Sequence, residues 1–202
     1  MKLYYSPGAC SLSPHIVARE AGLNVDLVKT DLKAKQFDGG GDFNTINGKG
    51  YVPALQLDDG QVLTEGPAII QYLADQKPDS GLAPKAGTME RYRLQEWLNF
   101  ITAEIHKSFS PLFNPASTDD VKAAAKATLD KRFGYVAKQL EGKSYLMGEQ
   151  FTVADAYLFT VANWGQWVGV DLGQWPNVKA HHARVAARPK VQETLMAEGL
   201  SK

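Results

Sequence analysis

The sequence predicts an α+β protein in two parts, a β-α-β-α-β-β-α first domain over residues 1–80 and an all-helical second domain over 88–202. Three observations carry this. Short β-prone runs alternate with short helical ones up to about residue 75. The stretch 76–87 then collects Pro78, Gly81, Pro84 and Gly87 with little apolar periodicity, as a domain linker does. Beyond it, apolar residues recur only at helical spacing.

Lys2 to Ser6 reads as a strand that leads into the loop Pro7 to Ser13. Ser13 as cap with Pro14 at the first helical position starts a helix that Gly22 stops. Val25 to Thr30 is β-branched and alternating, and the helix between the two strands makes them parallel. Leu32 to Asn47 is polar and broken by Gly39, Gly40 and Gly41, which reads as an irregular helix plus loop. Ala54 to Leu57 and Gln61 to Thr64 flank Asp59-Gly60, the dipeptide of a two-residue hairpin turn. Pro53 stands at the first residue of that hairpin, where an X-Pro bond can be cis. Gly66 then caps a helix opened by Pro67 that runs to Asp75.

In the second part, Leu94, Trp97, Leu98, Ile101, Ile105, Phe109 and Leu112 form one apolar stripe. Val121, Ala125, Leu129, Phe133, Val136 and Leu140 form another. Thr152-Val153-Ala154-Asp155 has the shape of a capping box and opens an apolar helix to Trp164, the expected core of this domain. Pro176 and Pro189 can each start a further helix.

The 22 basic and 22 acidic side chains cancel, so no summed field favours nucleic acid or an anionic membrane. Neither an apolar leader core nor 18 uninterrupted apolar residues occurs, which gives the expectation of a cytoplasmic protein. The single cysteine, Cys10, excludes an intrachain disulfide and suits a reducing compartment.

An exposed strand edge at Val52 beside a helix start at Gly66 suits an extended peptide that ends in a carboxylate. Cys10 lies just ahead of a helix, where amides and the helix dipole stabilise a thiolate. By residue type alone it fits a small buried apolar group equally well. Asn99, Ala103 and His106 share a helical face roughly opposite the first stripe. His106 there is either a surface side chain or a group that adjusts a thiol's protonation. His15, His181 and His182 have no carboxylate or Cys at metal-ligand spacing, so no metal is expected. Lys35 and Lys49 bind a carboxylate only if the irregular segment folds over the hairpin.

Taken together, Ser6-Pro7-Gly8-Ala9-Cys10-Ser11, Val52-Pro53-Ala54-Leu55, Thr64-Glu65-Gly66-Pro67-Ala68-Ile69 and Thr152-Val153-Ala154-Asp155 span the chain. In this order they resemble the cytosolic glutathione transferases, and most closely the bacterial beta class. The resemblance implies a thioredoxin-like first domain, an all-helical second domain and a homodimer. It implies that Val52, before a cis Pro53, pairs with the cysteinyl part of glutathione, beside Tyr51. Glu65 and the Gly66 amide would hold the γ-glutamyl end, and Lys35 the glycyl carboxylate. Cys10 and His106 would flank the sulfur as the catalytic pair. Asn99, Glu104 and Lys107 would line the site from the helical domain or the partner subunit. Tyr5, Phe109, Phe113 and Trp164 are expected at the electrophile pocket. Three positions depart from the family's pattern: Gly66 stands where many relatives have Ser, Ala103 lacks a hydroxyl, and Tyr51 replaces a frequent Gln. Ser11 is a second hydroxyl that could assist the thiol.

The implied activity is conjugation of reduced glutathione, as co-substrate, to small apolar electrophiles, a detoxification chemistry. Two alternatives remain open at this level. One is a glutathione-dependent thiol-disulfide reductase or reductive dehalogenase working through Cys10. The other is a non-catalytic protein that binds glutathione or apolar ligands.

Overall fold

Short apolar strands need a sheet to bury them, and in the computed structural model, which describes residues 1–201, they build a single mixed sheet. Its strands are β1 (Lys2–Tyr5), β2 (Asp26–Asp31), β3 (Gln36–Phe37), β4 (Gly41–Asp42), β5 (Ala54–Gln56) and β6 (Val62–Thr64), in spatial order β4-β3-β2-β1-β5-β6. β1 and β2 run parallel across helix α1 (Leu12–Glu20), while β5 lies antiparallel to β1 and β6 antiparallel to β5. Helix α2 (Gly66–Asp75) follows β6. The fold is thioredoxin-like in its first part, as the sequence implies.

Local details differ from the sequence reading. Helix α1 begins at Leu12, so Ser13 lies inside it and its hydroxyl donates to the Cys10 carbonyl at 2.9 Å. Leu32 to Asn47 forms the β3–β4 hairpin and a 3-10 turn, Phe43–Thr45, in place of a helix. Asp31 accepts the Lys33 and Ala34 amides, and Gly39 and Gly40 take positive φ. Those choices turn the chain back on itself and set Phe37 against Tyr4, ring centroids 5.3 Å apart. Past β5 the Leu57 amide still pairs with Gln61 O, so the turn itself has three residues, Asp58 to Gly60. The Gly60 amide donates to Leu57 O and only Gly60 has positive φ, because a type I turn with a left-handed third residue leaves both aspartates in ordinary conformations. The cap of α2 is Glu65, at φ 72°, with Gly66 already helical.

The second unit is helical throughout: α3 (Met89–Phe100), α4 (Lys107–Phe113), α5 (Asp119–Gln139), α6 (Val153–Ala162), α7 (Gly165–Val168) and α8 (Pro176–Ala186). Between α3 and α4 the backbone continues as a π-helical segment, Ile101–His106, whose wider turns shift α4 off the register of a straight α-helix. Leu94, Leu98, Ile101 and Ile105 are buried as the first stripe requires. Trp97 is not; it lies on the flank, half-buried against Phe100 and Tyr135. Helix α6 is buried along its whole length.

The last helix, α9 (Pro189–Ala197), departs from the sequence reading, which placed it in the second domain. The compact units are Met1–Ala83 with the segment from Ala187 onward, and Pro84–Ala186. Helix α9 buries Val191 and Thr194 and packs on α1. The Arg188 guanidinium ahead of it grips the Glu20 carboxylate with two bonds of 2.7 Å.

Candidate active site

The antiparallel register places the end of β1, the start of β5 and the end of β6 side by side, with Tyr4 opposite Ala54 and Ala54 opposite Thr64. The loop after β1, the Val52-Pro53 step before β5 and the Glu65-Gly66 step after β6 therefore gather at one end of the sheet. The Val52-Pro53 peptide is cis, as the sequence allowed. The Cys10 thiol donates to the Val52 carbonyl at 3.2 Å and is half-buried.

Ser11 holds the Cys10 loop closed. Its hydroxyl accepts the Ser6 amide at 3.1 Å and donates to the Ser6 carbonyl at 3.2 Å, and the residue has no exposed surface. That double use removes Ser11 as a hydroxyl for an external thiol, contrary to the role the sequence left open for it. Tyr5 is buried below the loop. Desolvation first, and then the charges of Glu198 and Asp38, push its phenol above the ordinary range and keep it protonated.

On the hairpin side, Lys35 takes a positive φ of 57° and donates to the Gly50 carbonyl at 2.6 Å. Asn47, buried, donates to the Tyr51 carbonyl at 2.7 Å. These two bonds fix the approach to Val52. The segment thus ties back onto the chain just ahead of Val52, and Lys35 spends one hydrogen bond on the Gly50 carbonyl. The Tyr51 hydroxyl donates to Glu65 Oε1 at 2.9 Å, and the Lys49 ammonium pairs with the same oxygen. Gly66 is buried at the first turn of α2.

In the helical unit, Asn99, Ala103 and Lys107 are exposed, and Glu104 and His106 are half-buried. Glu104 pairs with Arg132 at 2.6 Å. His106 Nδ1 lies 2.6 Å from the Tyr157 hydroxyl, and its ring meets Trp164 edge-on at 4.7 Å. Trp164 also packs edge-on against Phe109 at 5.6 Å and Phe113 at 5.8 Å. Phe109 has no exposed surface and acts as core between Phe133 and Trp164. Of the three aromatics expected in the pocket wall of this unit, Phe113 offers the open area.

Sequence reasoning missed the buried carboxylate that anchors the Cys10 loop. Glu198 Oε2 accepts the Gly8 amide at 2.9 Å, and its Oε1 meets His15 Nδ1 at 2.8 Å. No local signal reveals a pairing across 190 positions. Among the described residues, no three His, Cys, Asp or Glu side chains gather where they could hold a metal ion. No helix there is long and apolar enough to cross a membrane.

The chain matches two family profiles, glutathione S-transferase, N-terminal domain, over residues 8–76 and glutathione S-transferase, C-terminal domain, over 100–189. It is 48% identical over 200 residues to glutathione S-transferase GstA of Escherichia coli O157:H7, covering 99% of this chain and 100% of that one. A bacterial beta class glutathione S-transferase of Sphingomonas chungbukensis is similar at 50% identity and a TM-score of 0.96, with both chains covered in full. A sphingomonad glutathione S-transferase complexed with glutathione is similar at 47% identity, again with a TM-score of 0.96 and both chains covered in full. On these matches, and with its cysteine, cis-proline and Glu65-Gly66 step drawn to one end of a thioredoxin-like sheet, the chain belongs to the glutathione S-transferase family and its bacterial beta class.

Proposed function

We propose that the protein conjugates the thiol of reduced glutathione to small apolar electrophiles. The observation that carries this is the juxtaposition of the Cys10 thiol, the Val52 carbonyl and the Glu65-Gly66 step at one end of the sheet. An extended peptide there finds a backbone acceptor for its cysteinyl amide at Val52. A carboxylate for its α-ammonium stands at Glu65. When that amide takes the Val52 carbonyl, the Cys10 S–H turns to the glutathione sulfur and donates a hydrogen bond to it, which stabilises the thiolate left when the glutathione thiol gives its proton to solvent. The bound thiolate attacks the electrophilic carbon, the carbon–sulfur bond forms, and the leaving group departs with its electron pair. Rate comes from proximity and from a lowered thiol pKa.

The family resemblance supports further assignments. Lys35 serves the glycyl carboxylate, Tyr51, Asn99, Glu104 and Lys107 serve glutathione, and His106 serves the sulfur. Phe113 and Trp164 serve the electrophile. It also supports a first domain over 1–80 that binds glutathione, a helical domain from 88 to the end of α8 that shapes the electrophile pocket, and a homodimer. A lone thiol suits the reducing cytoplasm.

The test is steady-state conjugation of an aryl halide across pH, with sedimentation velocity to fix the oligomeric state. Turnover that saturates in glutathione supports the reading. A protein that conjugates nothing, and whose Cys10 carries glutathione as a mixed disulfide, is a thiol reductase instead.

A further inference from the structure

Lys49, Tyr51 and Glu65 form a small exposed cluster. The Tyr51 hydroxyl and the Lys49 ammonium share Glu65 Oε1, and the ammonium also sits 5.5 Å from the centre of the Tyr51 ring. About half of each charged side chain remains open to solvent, 43% for Lys49 and 52% for Glu65. An ion pair so exposed contributes little to stability. Its supports are nevertheless firm, since buried Asn47 fixes the Tyr51 carbonyl and Lys35 fixes Gly50. Glu65 holds the Lys49 ammonium above its ordinary range, so it is charged throughout the neutral region.

The γ-glutamyl end of glutathione carries an ammonium and a carboxylate on the same carbon. With its ammonium on Glu65, its carboxylate needs donors close by. Gly66 offers an amide but no hydroxyl. A Cβ there would meet only Pro53 Cγ at 4.0 Å, so the space for a serine exists and its hydroxyl is simply missing. The Lys49 ammonium stands at Oε1 of the neighbouring Glu65 carboxylate. Resting on the reading of glutathione as substrate, we propose that Lys49 binds the γ-glutamyl α-carboxylate and so replaces the hydroxyl absent at position 66. On binding, the Lys49–Glu65 pair is exchanged for two pairs, Glu65 with the ligand ammonium and Lys49 with the ligand carboxylate. Every charge then keeps an opposite neighbour. Tyr51 stays on Glu65 and holds it in place while Lys49 moves.

The test compares wild type, Lys49→Met, Gly66→Ser and the double variant on two peptides, glutathione and its analogue that lacks the α-carboxylate, 4-aminobutyryl-cysteinylglycine. In Lys49→Met the KM for glutathione is expected to rise about tenfold with kcat within about twofold, since a charge-assisted contact to the resting ligand is lost. The analogue should bind Lys49→Met as well as wild type, or better, because Glu65 no longer has a competing cation. Gly66→Ser should recover most of the loss in the double variant. An unchanged glutathione KM in Lys49→Met, or an equal loss for both peptides, overturns the assignment of Lys49. A wild type that neither binds nor turns over glutathione overturns the transferase reading itself, and the assignment with it.

Discussion

Glu198 holds Gly8: one carboxylate oxygen accepts the Gly8 amide at 2.9 Å while the other meets His15 Nδ1 at 2.8 Å. Arg19 Nε donates to His15 Nε2 at 3.0 Å, and because a guanidinium can only donate, the imidazole proton must sit on Nδ1 and point at Glu198. A buried acid just after α9 thus ties the loop that carries Cys10 to helix α1.

Glu198→Ala strands both donors in a buried site and should cost about 3 kcal/mol. Glu198→Gln keeps one acceptor but turns an amide N–H₂ on the other donor, so a smaller loss is expected. Urea denaturation midpoints decide this. A midpoint within error of wild type for Glu198→Ala would show that the buried contacts carry no weight.

Cys10→Ala should weaken conjugation without abolishing it, by about 10-fold, because amides of the same site also stabilise a bound thiolate. His106→Ala should behave alike. The apparent pKa of bound glutathione, read from the pH dependence of kcat/KM, should move upward in both. Complete loss in Cys10→Ala would instead favour covalent chemistry at that sulfur.

Asp155 is a buried carboxylate of the helical unit with four partners of its own. Its oxygens accept the Leu146 amide at 2.8 Å, the Thr152 amide at 2.8 Å and the Thr152 hydroxyl at 2.9 Å, and meet His181 Nε2 at 2.9 Å. Replacing it with Ala should cost about 3 kcal/mol or more, since the start of α6 and the segment before it lose their shared acceptor. Guanidinium unfolding followed by circular dichroism measures it. A cost below about 0.5 kcal/mol, the range of ordinary surface substitutions, would contradict the role.

His182 supplies a pH prediction. It stacks on Phe159 at 4.6 Å with its Nε2 shielded and unpartnered among the described residues. Burial first, and then the neighbouring His181, lower its pKa from 6.5 to about 4. Between those values the unfolded chain binds a proton that the folded chain refuses, so stability falls as pH drops from 6.5 toward 4. The contribution reaches about 3 kcal/mol at the acid end and is absent above 6.5. His182→Phe should flatten that part of the stability profile. An unaltered acid limb would remove His182 as its cause.

Features set by local chemistry were legible in the sequence. Pro53 at a strand start, the Thr152 to Asp155 box and the stripe through Leu129 and Phe133 all follow from a few neighbouring residues. The β3–β4 hairpin was not, because polar residues broken by glycine fit several backbones and only the packing of Phe37 and Phe43 on Tyr4 selects one. The π-helical turn before Lys107 escaped for a related reason, since its apolar spacing differs little from α-helical spacing. At the candidate site, Cys10, Val52 and Glu65 were readable from motifs. Glu198 was not, because a buried acid looks like any surface glutamate until its donors from Gly8 and His15 arrive from the far end of the chain.

The return of α9 to α1 also sets a timetable. During synthesis the six strands and α2 leave the ribosome well before Glu198 exists. Some 115 residues, from Ala83 to Glu198, must still be added, which takes about 10 s at ordinary elongation rates. Through that interval the Gly8 amide and His15 lack their carboxylate, and the nascent thiol loop waits for it. A stalled or prematurely terminated message would release a chain whose strands are all present but whose thiol loop has no anchor, an obvious target for chaperones and proteases.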